Sequence, residues 1–343
     1  MIENGNMPVI EFTKVCKTYR GHRGMGELIP GAKAASEVRA LDDISFRLEK
    51  GRVLGLVGES GSGKSTLANV LVGLEAPSSG QMLFQGTDLA TLRKADKRAF
   101  HGQVQMIFQD PYASLNPRFT VRQTVEEPLI IHRYPRHDRT RLVIDALERS
   151  ELRPAGAFID KYPHEMSGGQ RQRVAIARAI VLGPSVLVAD EPVSMLDVSV
   201  RAGILRLLRS LIDRLGMALI FITHDLSLIG QICDDLMILY RGKVAECGPA
   251  IAILDHPRHP YTQQLMAAVP VPDARSRPAE LPARLMNSSA VVDEGPKCSF
   301  EARCIYAVDI CRSVVPAARS IGKIEVACHR AEELEKGATI KEI

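Results

Sequence analysis

Long apolar runs are missing from this sequence. The longest uninterrupted stretches, such as Met217 to Ile222, fall far short of the roughly 20 residues a bilayer-spanning helix needs. If the protein works at a membrane, another polypeptide must supply the spans. The opening residues, MIENGNMPVI, hold neither a basic n-region nor an apolar h-region, so no secretory signal is expected and the default location is cytosolic. Sustained heptads are absent, which argues against a long coiled coil. Charge is not blocked into tails. The net +4 is spread along the chain and is weak evidence for an acidic partner, and no nucleic-acid partner is expected. Tryptophan is absent and aromatics make up only 5%, yet 45% of the 343 residues are apolar, enough for a substantial core. That length suits one large domain plus an appendage.

Short apolar runs alternate with helical patterns. Val53 to Val57 reads as a buried strand. Leu67, Val70, Leu71 and Leu74 then mark an amphipathic helix over residues 65 to 74. Val104, Met106 and Phe108 alternate as a half-buried strand. Val186 to Ala189 and Ala218 to Ile222 are two more buried strands, each reached after a helical segment. This alternation predicts an α/β fold with a largely parallel sheet. Residues 121 to 182 hold helical patterns and no convincing strand, so a helical insertion is expected. The stretch MILYRGKVAECG (237 to 248) reads as a hairpin turning at Arg241-Gly242. Residues 21 to 36 read as a surface loop; the glycines of GHRGMG follow no strand, which argues against a nucleotide fingerprint there. After Pro270 the texture changes to Pro, Ser and Arg, a linker, and a Cys-bearing tail begins near Gly295.

Gly58-Glu59-Ser60-Gly61-Ser62-Gly63-Lys64-Ser65 fits G-x-x-x-x-G-K-[ST] between a strand and a helix, the context that gives this pattern meaning. Gly58, Ser60, Gly61 and Gly63 let backbone N–H groups wrap a β-phosphate. Lys64 places a cation on the β- and γ-phosphates, the hydroxyl of Ser65 can ligate Mg²⁺, and Thr66 follows at the same site. Asp190-Glu191 ends a strand at the edge where ligands gather in open α/β sheets. There Asp190 can hold Mg²⁺ through water and Glu191 can polarise an attacking water. His224 ends the next strand in the same way. A second polar helix start, Ser167-Gly168-Gly169-Gln170, is also built to receive an anion, although Ser167 alone could be a simple helix cap.

With these residues in hand, the chain resembles the nucleotide-binding subunits of ATP-binding-cassette (ABC) transporters over roughly residues 8 to 270. The resemblance implies a P-loop cassette: a RecA-like parallel core, an antiparallel β subdomain, a helical subdomain over about 115–182, and a linker and Cys-rich extension over 271–343. It implies that Tyr19 stacks on adenine and that residues 58 to 65 are the Walker A loop. Gln109 resembles the Q-loop glutamine, which joins Ser65 and Asp190 at Mg²⁺. Glu191 resembles the general base and His224 the switch histidine. Asp197 lies in the D-loop. Ser167 to Gln170 resemble the family signature, with Met166 where Leu is usual. In this family two cassettes meet head to tail, so the second anion site serves the ATP of a partner ATPase subunit, identical or paralogous. QDPYASLNPR (109 to 118) and HPRHPYTQQLMAAVP (256 to 270) look like the peptide/nickel importer branch. That branch implies two membrane permease subunits, an extracytoplasmic solute-binding protein and a place on the cytoplasmic face of the membrane. The cargo is expected to be di- or oligopeptides, with nickel or glutathione as alternatives. A soluble ABC ATPase of translation or DNA repair is the other functional reading; such proteins usually carry two cassettes or a long coiled coil.

Four of the seven cysteines, Cys298, Cys304, Cys311 and Cys328, fall in the last 46 residues. A short segment builds little core and needs a staple, and a cytosolic location disfavours disulfides. Intervals of five, six and sixteen residues lack the close pairs usual at zinc. A [4Fe–4S] cluster, whose spacings vary more, fits as well, as do free thiols. CSFEARCIYAVDIC resembles the extension of the oligopeptide branch, some members of which hold such a cluster. A structural role is expected, since nothing in the sequence places these residues near Lys64 or Glu191.

Overall fold

The structure, a computed structural model, describes residues 7–20, 37–268 and 297–334. The predicted surface loop at 21–36 and the linker lie outside these. The described chain divides into two compact units: residues 7–13, 45–54 and 67–222 form one, and residues 14–20, 37–44, 55–66, 223–268 and 297–334 the other. The described residues include a four-stranded sheet and further strands within each unit. The four-stranded one has the order β2-β1-β4-β5, from β1 (Ile10–Arg20), β2 (Glu37–Leu48), β4 (Ser79–Phe84) and β5 (Thr87–Asp88). β3 is Val53–Val57; within the second unit the strand order is β11-β12-β10-β9, and within the first it is β8-β7-β6.

In the first unit β6 (Val104–Ile107), β7 (Val186–Asp190) and β8 (Ala218–Thr223) run parallel, with Val104 opposite Val186 and Val186 opposite Ala218. β7 and β8 are covered on both faces and read as unbroken apolar runs, whereas β6, last in the order, keeps Gln105 and Met106 half-buried. Every residue of β8 is buried. α1 (Lys64–Leu71) is shorter than the pattern predicted, because the chain leaves the helix before Leu74, which is exposed. α2 (Lys94–Gln103) leads into β6, and α3 (Pro111–Ser114) is one turn opened by the Asp110 carboxylate on two backbone N–H groups. Among the described residues no strand falls between β6 and β7. That interval holds α4 (Val121–Ile131), α5 (Arg136–Arg149) and α6 (Gly168–Ile180), packed on one another. Thr120 and Gln123 form a capping box that starts α4. α7 (Val198–Leu215) buries Ile204, Leu208, Leu211 and Ile212 on one face and stops at Gly216, whose φ of 64° few other residues adopt readily. Burying each such side chain contributes about 1.5–3 kcal/mol.

In the second unit β9 (Asp235–Tyr240) and β10 (Lys243–Pro249) form the expected hairpin. Arg241 and Gly242 both take positive φ (47° and 77°), as a two-residue turn between twisted strands demands. A bulge between Val244 and Glu246 bends β10. The short α8 (Ile229–Ile232) precedes the hairpin; α9 (Ala250–Asp255) and α10 (Pro260–Ala267) follow it. β11 (Arg319–Ile321) and β12 (Ile324–Val326), both from the Cys-bearing tail, add to the same sheet: β12 pairs antiparallel with β10. The tail finds more core than its length suggested. Phe300 is 1% exposed, and its ring lies 5.2 Å from Tyr240 and 5.6 Å from Tyr261.

Candidate active site

The phosphate loop is built from close approaches. A Cβ on Gly58 would sit 2.3 Å from the Leu239 carbonyl oxygen and 2.5 Å from Ser62 Oγ; one on Gly63 would meet the Ala40 carbonyl oxygen at 2.5 Å. Gly61 and Gly63 have φ of 77° and 108°, the alternation that makes a nest of N–H groups. The Lys64 ammonium donates to the carbonyls of Gly58 (2.6 Å) and Glu59 (2.8 Å), so the loop is wound around a positive charge. Ser60, Gly61 and Ser65 are exposed at its rim, with Thr66 half-buried behind. This concavity of donors and one ammonium fits a triphosphate, and the Ser65 hydroxyl fits the Mg²⁺ that accompanies it. Tyr19, near the end of β1, is exposed, with the Lys17 ammonium 5.3 Å from its ring centre. His224 follows β8 and is exposed.

The other predicted residues fall in the first unit, where two groups come together. Asp190 closes β7. Glu191, next in line, adopts a φ of 45°, and its backbone N–H donates to the Ile222 carbonyl at 2.9 Å. Left-handed backbone at a non-glycine costs roughly 1–2 kcal/mol and persists only where the surroundings enforce it. Gln109 Nε2 donates to Glu191 Oε2 at 2.8 Å. A carboxylate beside an amide on a strained turn can take a proton from water and hold that water in line. The second group is the start of α6. Ser167 Oγ accepts the Gln170 N–H (3.3 Å) while Gln170 Oε1 accepts the Ser167 N–H (3.0 Å). The capping reading of Ser167 is therefore realised, and Gly168 and Gly169 still contribute the next N–H groups of the helix start. A Cβ on Gly169 would press Val200 Cγ1 at 2.6 Å, and one on Gly168 would touch Leu196, so this turn is seated against the segment holding Asp197, the exposed N-cap of α7. Met166 is buried there.

Sequence reasoning missed three residues. Glu59 occupies a free position of the loop pattern, yet all its polar groups are engaged. Its N–H donates to Tyr261 Oη at 2.9 Å, its carbonyl accepts Lys64, and its carboxylate receives both Nη atoms of Arg303 at 2.8 and 2.9 Å. Tyr261 comes from the HPYT stretch. The buried Glu246 carboxylate accepts the N–H groups of Arg258 and His259, His259 Nδ1 accepts the Tyr261 N–H, and Pro260 opens α10 at a position where no donor is needed. Burial lowers the His259 pKa to about 4, raises that of the Tyr261 phenol and raises that of Glu246. The HPYT quartet was the available signal for Tyr261; nothing in the sequence signalled Arg303. The sequence placed nothing of the tail near Lys64; in the structure Arg303, beside Cys304, grips the residue whose carbonyl accepts the Lys64 ammonium.

No disulfide joins the four tail cysteines. Cys304 and Cys311 are buried, Cys298 and Cys328 half-buried, and the Cys298 N–H donates to the Cys311 carbonyl. Burial first, and each other's proximity among the lesser causes, push Cys304 to about 12 and Cys328 to about 11. Among the described residues no group of three or more His, Cys, Asp or Glu is arranged to hold a metal. None of the described helices is long and apolar enough to cross a membrane.

A glycine loop wound on a lysine between a buried strand and a helix defines a P-loop nucleoside triphosphatase. The family model of the ABC transporter matches residues 41–194, and that of the oligopeptide/dipeptide transporter C-terminal region matches residues 245–311. The Di/tripeptide transport ATP-binding protein DppF of Pseudomonas aeruginosa is 42% identical over 304 residues, 88% of this chain and 93% of its own. The Dipeptide transport ATP-binding protein DppF of Escherichia coli is 42% identical over 87% of this chain and 89% of its own. Among solved structures, a dimeric ATP-binding cassette in a post-hydrolysis state with ADP and Pi aligns at a TM-score of 0.60 and 27% identity, covering 70% of this chain and 98% of that one. cbiO1 from Clostridium perfringens, part of an ABC transporter complex, aligns at 0.61 and 27%, covering 72% and 91%. The chain belongs to the ATP-binding subunits of ABC transporters and is an ATPase that uses ATP and Mg²⁺.

Proposed function

We propose that this subunit hydrolyses ATP to drive uptake of di- or oligopeptides through two separate membrane permeases. The observation that carries the reading is the pairing of a complete cassette with a C-terminal region of the oligopeptide/dipeptide type, in relatives named for peptide transport. In the proposed roles Tyr19 stacks on adenine, the loop from Gly58 to Thr66 holds the phosphates, and Ser65, Asp190 and Gln109 hold Mg²⁺. Glu191 takes the proton of the attacking water, Gln109 orients that carboxylate, and His224 steadies the γ-phosphate. Mg²⁺, when bound, neutralises charge on the phosphates. Ser167 to Gln170 and Asp197 serve the nucleotide of a second cassette. Met195 and Val198, 57% and 79% exposed beside Asp197, are apolar surface suited to such a partner. The protein then sits on the cytoplasmic face of the membrane, 1–270 acting as the cassette and 271–343 as its extension, with an extracytoplasmic binding protein delivering solute.

The test is reconstitution of the full transporter in proteoliposomes with labelled dipeptide, oligopeptide, nickel or glutathione. ATP-dependent peptide uptake is expected. Uptake of nickel or glutathione instead, or ATPase activity indifferent to permeases, would overturn the peptide reading. A [4Fe–4S] cluster on Cys298, Cys304, Cys311 and Cys328 is proposed from four thiols in one short sequence segment alone, since among the described residues they are not arranged as a metal-holding group. Anaerobically purified protein should be brown, contain iron and labile sulfide, and bleach with Cys304→Ser. A colourless, iron-free preparation with four alkylatable thiols rejects it.

A further inference from the structure

Glu59 is gripped from two parts of the chain that sequence places far away. Tyr261, fully buried, accepts its backbone N–H. Arg303, 5% exposed, forks both nitrogens onto its carboxylate. The guanidinium lies 5.7 Å from the Tyr240 ring centre and 5.6 Å from that of Phe300, so aromatic faces fix its plane. The pair is bidentate, charge-assisted and therefore directional; its Arg303 end is buried while the Glu59 side chain is 37% exposed, so removing Glu59 leaves a costly buried guanidinium. The far side of Glu59 faces the nucleotide machinery, since its carbonyl accepts the Lys64 ammonium. Lys64, the group expected on the β- and γ-phosphates, is thus one hydrogen bond from a residue held in place by the Cys-bearing extension.

We propose that Arg303 and Tyr261 are positioning residues for ATP, setting the shape of the phosphate loop through Glu59, so that the extension is a working part of the nucleotide site. The proposal rests on the reading of Gly58 to Ser65 as the ATP phosphate loop. Neither residue touches nucleotide. They act by holding N–H groups and the Lys64 ammonium in register before ATP arrives, so their loss falls on ATP capture more than on turnover at saturation.

The test uses the full chain in its assembled transporter. KM for ATP, kcat at saturating ATP and the melting temperature are measured for Arg303→Met, Arg303→Lys, Glu59→Gln, Tyr261→Phe and the Arg303→Met/Glu59→Gln double variant. Hydrogen bonds to charged groups are worth about ten- to hundred-fold in binding, so Arg303→Met should raise KM by roughly that much while kcat falls less than about threefold. Arg303→Lys should recover part of the loss, and the double variant should be no worse than the worse single one, as expected for groups acting on each other. Should Arg303→Met not fold, Glu59→Gln and Tyr261→Phe carry the same KM test. A KM within about twofold of the parent in a folded variant, additive losses in the double variant, or a fall in kcat at constant KM overturns the proposal. Lys64→Ala separates the two readings: if it binds ATP normally, the phosphate-loop assignment fails, whereas if it loses ATP and Arg303→Met does not, only the positioning role fails.

Discussion

Gly58→Ala tests the phosphate loop with one methyl group. The new Cβ would sit 2.3 Å from the Leu239 carbonyl oxygen and 2.5 Å from Ser62 Oγ, where real contacts essentially never fall below 3.0 Å. Leu239 belongs to β9, hydrogen-bonded into the sheet and fully buried, so its oxygen is the fixed point. The loop must yield by at least about 0.7 Å on that contact, weakening its N–H and ammonium contacts to the phosphates, and a hydrogen bond to a charged group is worth about 1.5–3 kcal/mol. We expect Kd for MgATP, read by isothermal titration, to rise roughly tenfold or more, while β3 and the melting temperature change little. Gly61→Ala is the matched control. Nothing lies within 4 Å of its added Cβ, but its φ of 77° carries a strain of about 1–2 kcal/mol without displacing the Lys64 end of the loop. Its effect on Kd should be smaller. A Gly58→Ala protein that binds MgATP within about twofold of the parent, or more tightly than Gly61→Ala, would refute the claim that backbone contact sets this loop.

Three further outcomes are expected. Glu191→Gln keeps the Gln109 hydrogen bond within reach but cannot accept a proton, and a positioned base contributes about 10²- to 10⁴-fold. Turnover in the assembled complex should drop by that range with ATP still bound, and near-normal turnover removes the general-base role. Bulky replacements of Ser167 and Gly168 should deplete photoreactive ATP from the partner cassette's site; depletion confined to this chain's own loop contradicts service in trans. His259, neutral in the fold because burial lowers its pKa from 6.5 to about 4, favours folding fully above pH 6.5. That contribution is lost as the pH falls through 4, because the unfolded chain binds the proton first. At 1.36 kcal/mol per pH unit the loss is about 3 kcal/mol, and denaturation midpoints of the parent and His259→Asn should converge on acidification. Parallel curves would show that His259 is solvated.

The sheet was legible wherever burial on both faces made runs of one kind. β3, β7 and β8 lie where Val, Leu, Ile and Ala cluster, and the Arg241-Gly242 turn announced itself because few dipeptides accept two positive φ values. The phosphate loop was legible because its demands are local. The Glu59 clamp was not. Its bonds cross 202 and 244 positions, and no periodicity or spacing records a contact at that separation. Arg303 reads as one more charge in a polar stretch until Tyr240 and Phe300 close over it. The strained backbone of Glu191 was equally invisible, since glutamate is an unusual choice for a left-handed turn and only the surrounding strands enforce it.

The pairing of β12 with β10 has a consequence for solubility. Without the tail, β10 would be the last strand on its side of the sheet, presenting the backbone of Glu246 and Cys247 unpaired to any passing chain. Such an open edge is a template for intermolecular strand addition. The tail moves the boundary outward to β11, three residues long and beginning with Arg319, a poor template on both counts. A chain cut at residue 268 would keep β10 and lose this guard, leaving an edge open to other copies of itself.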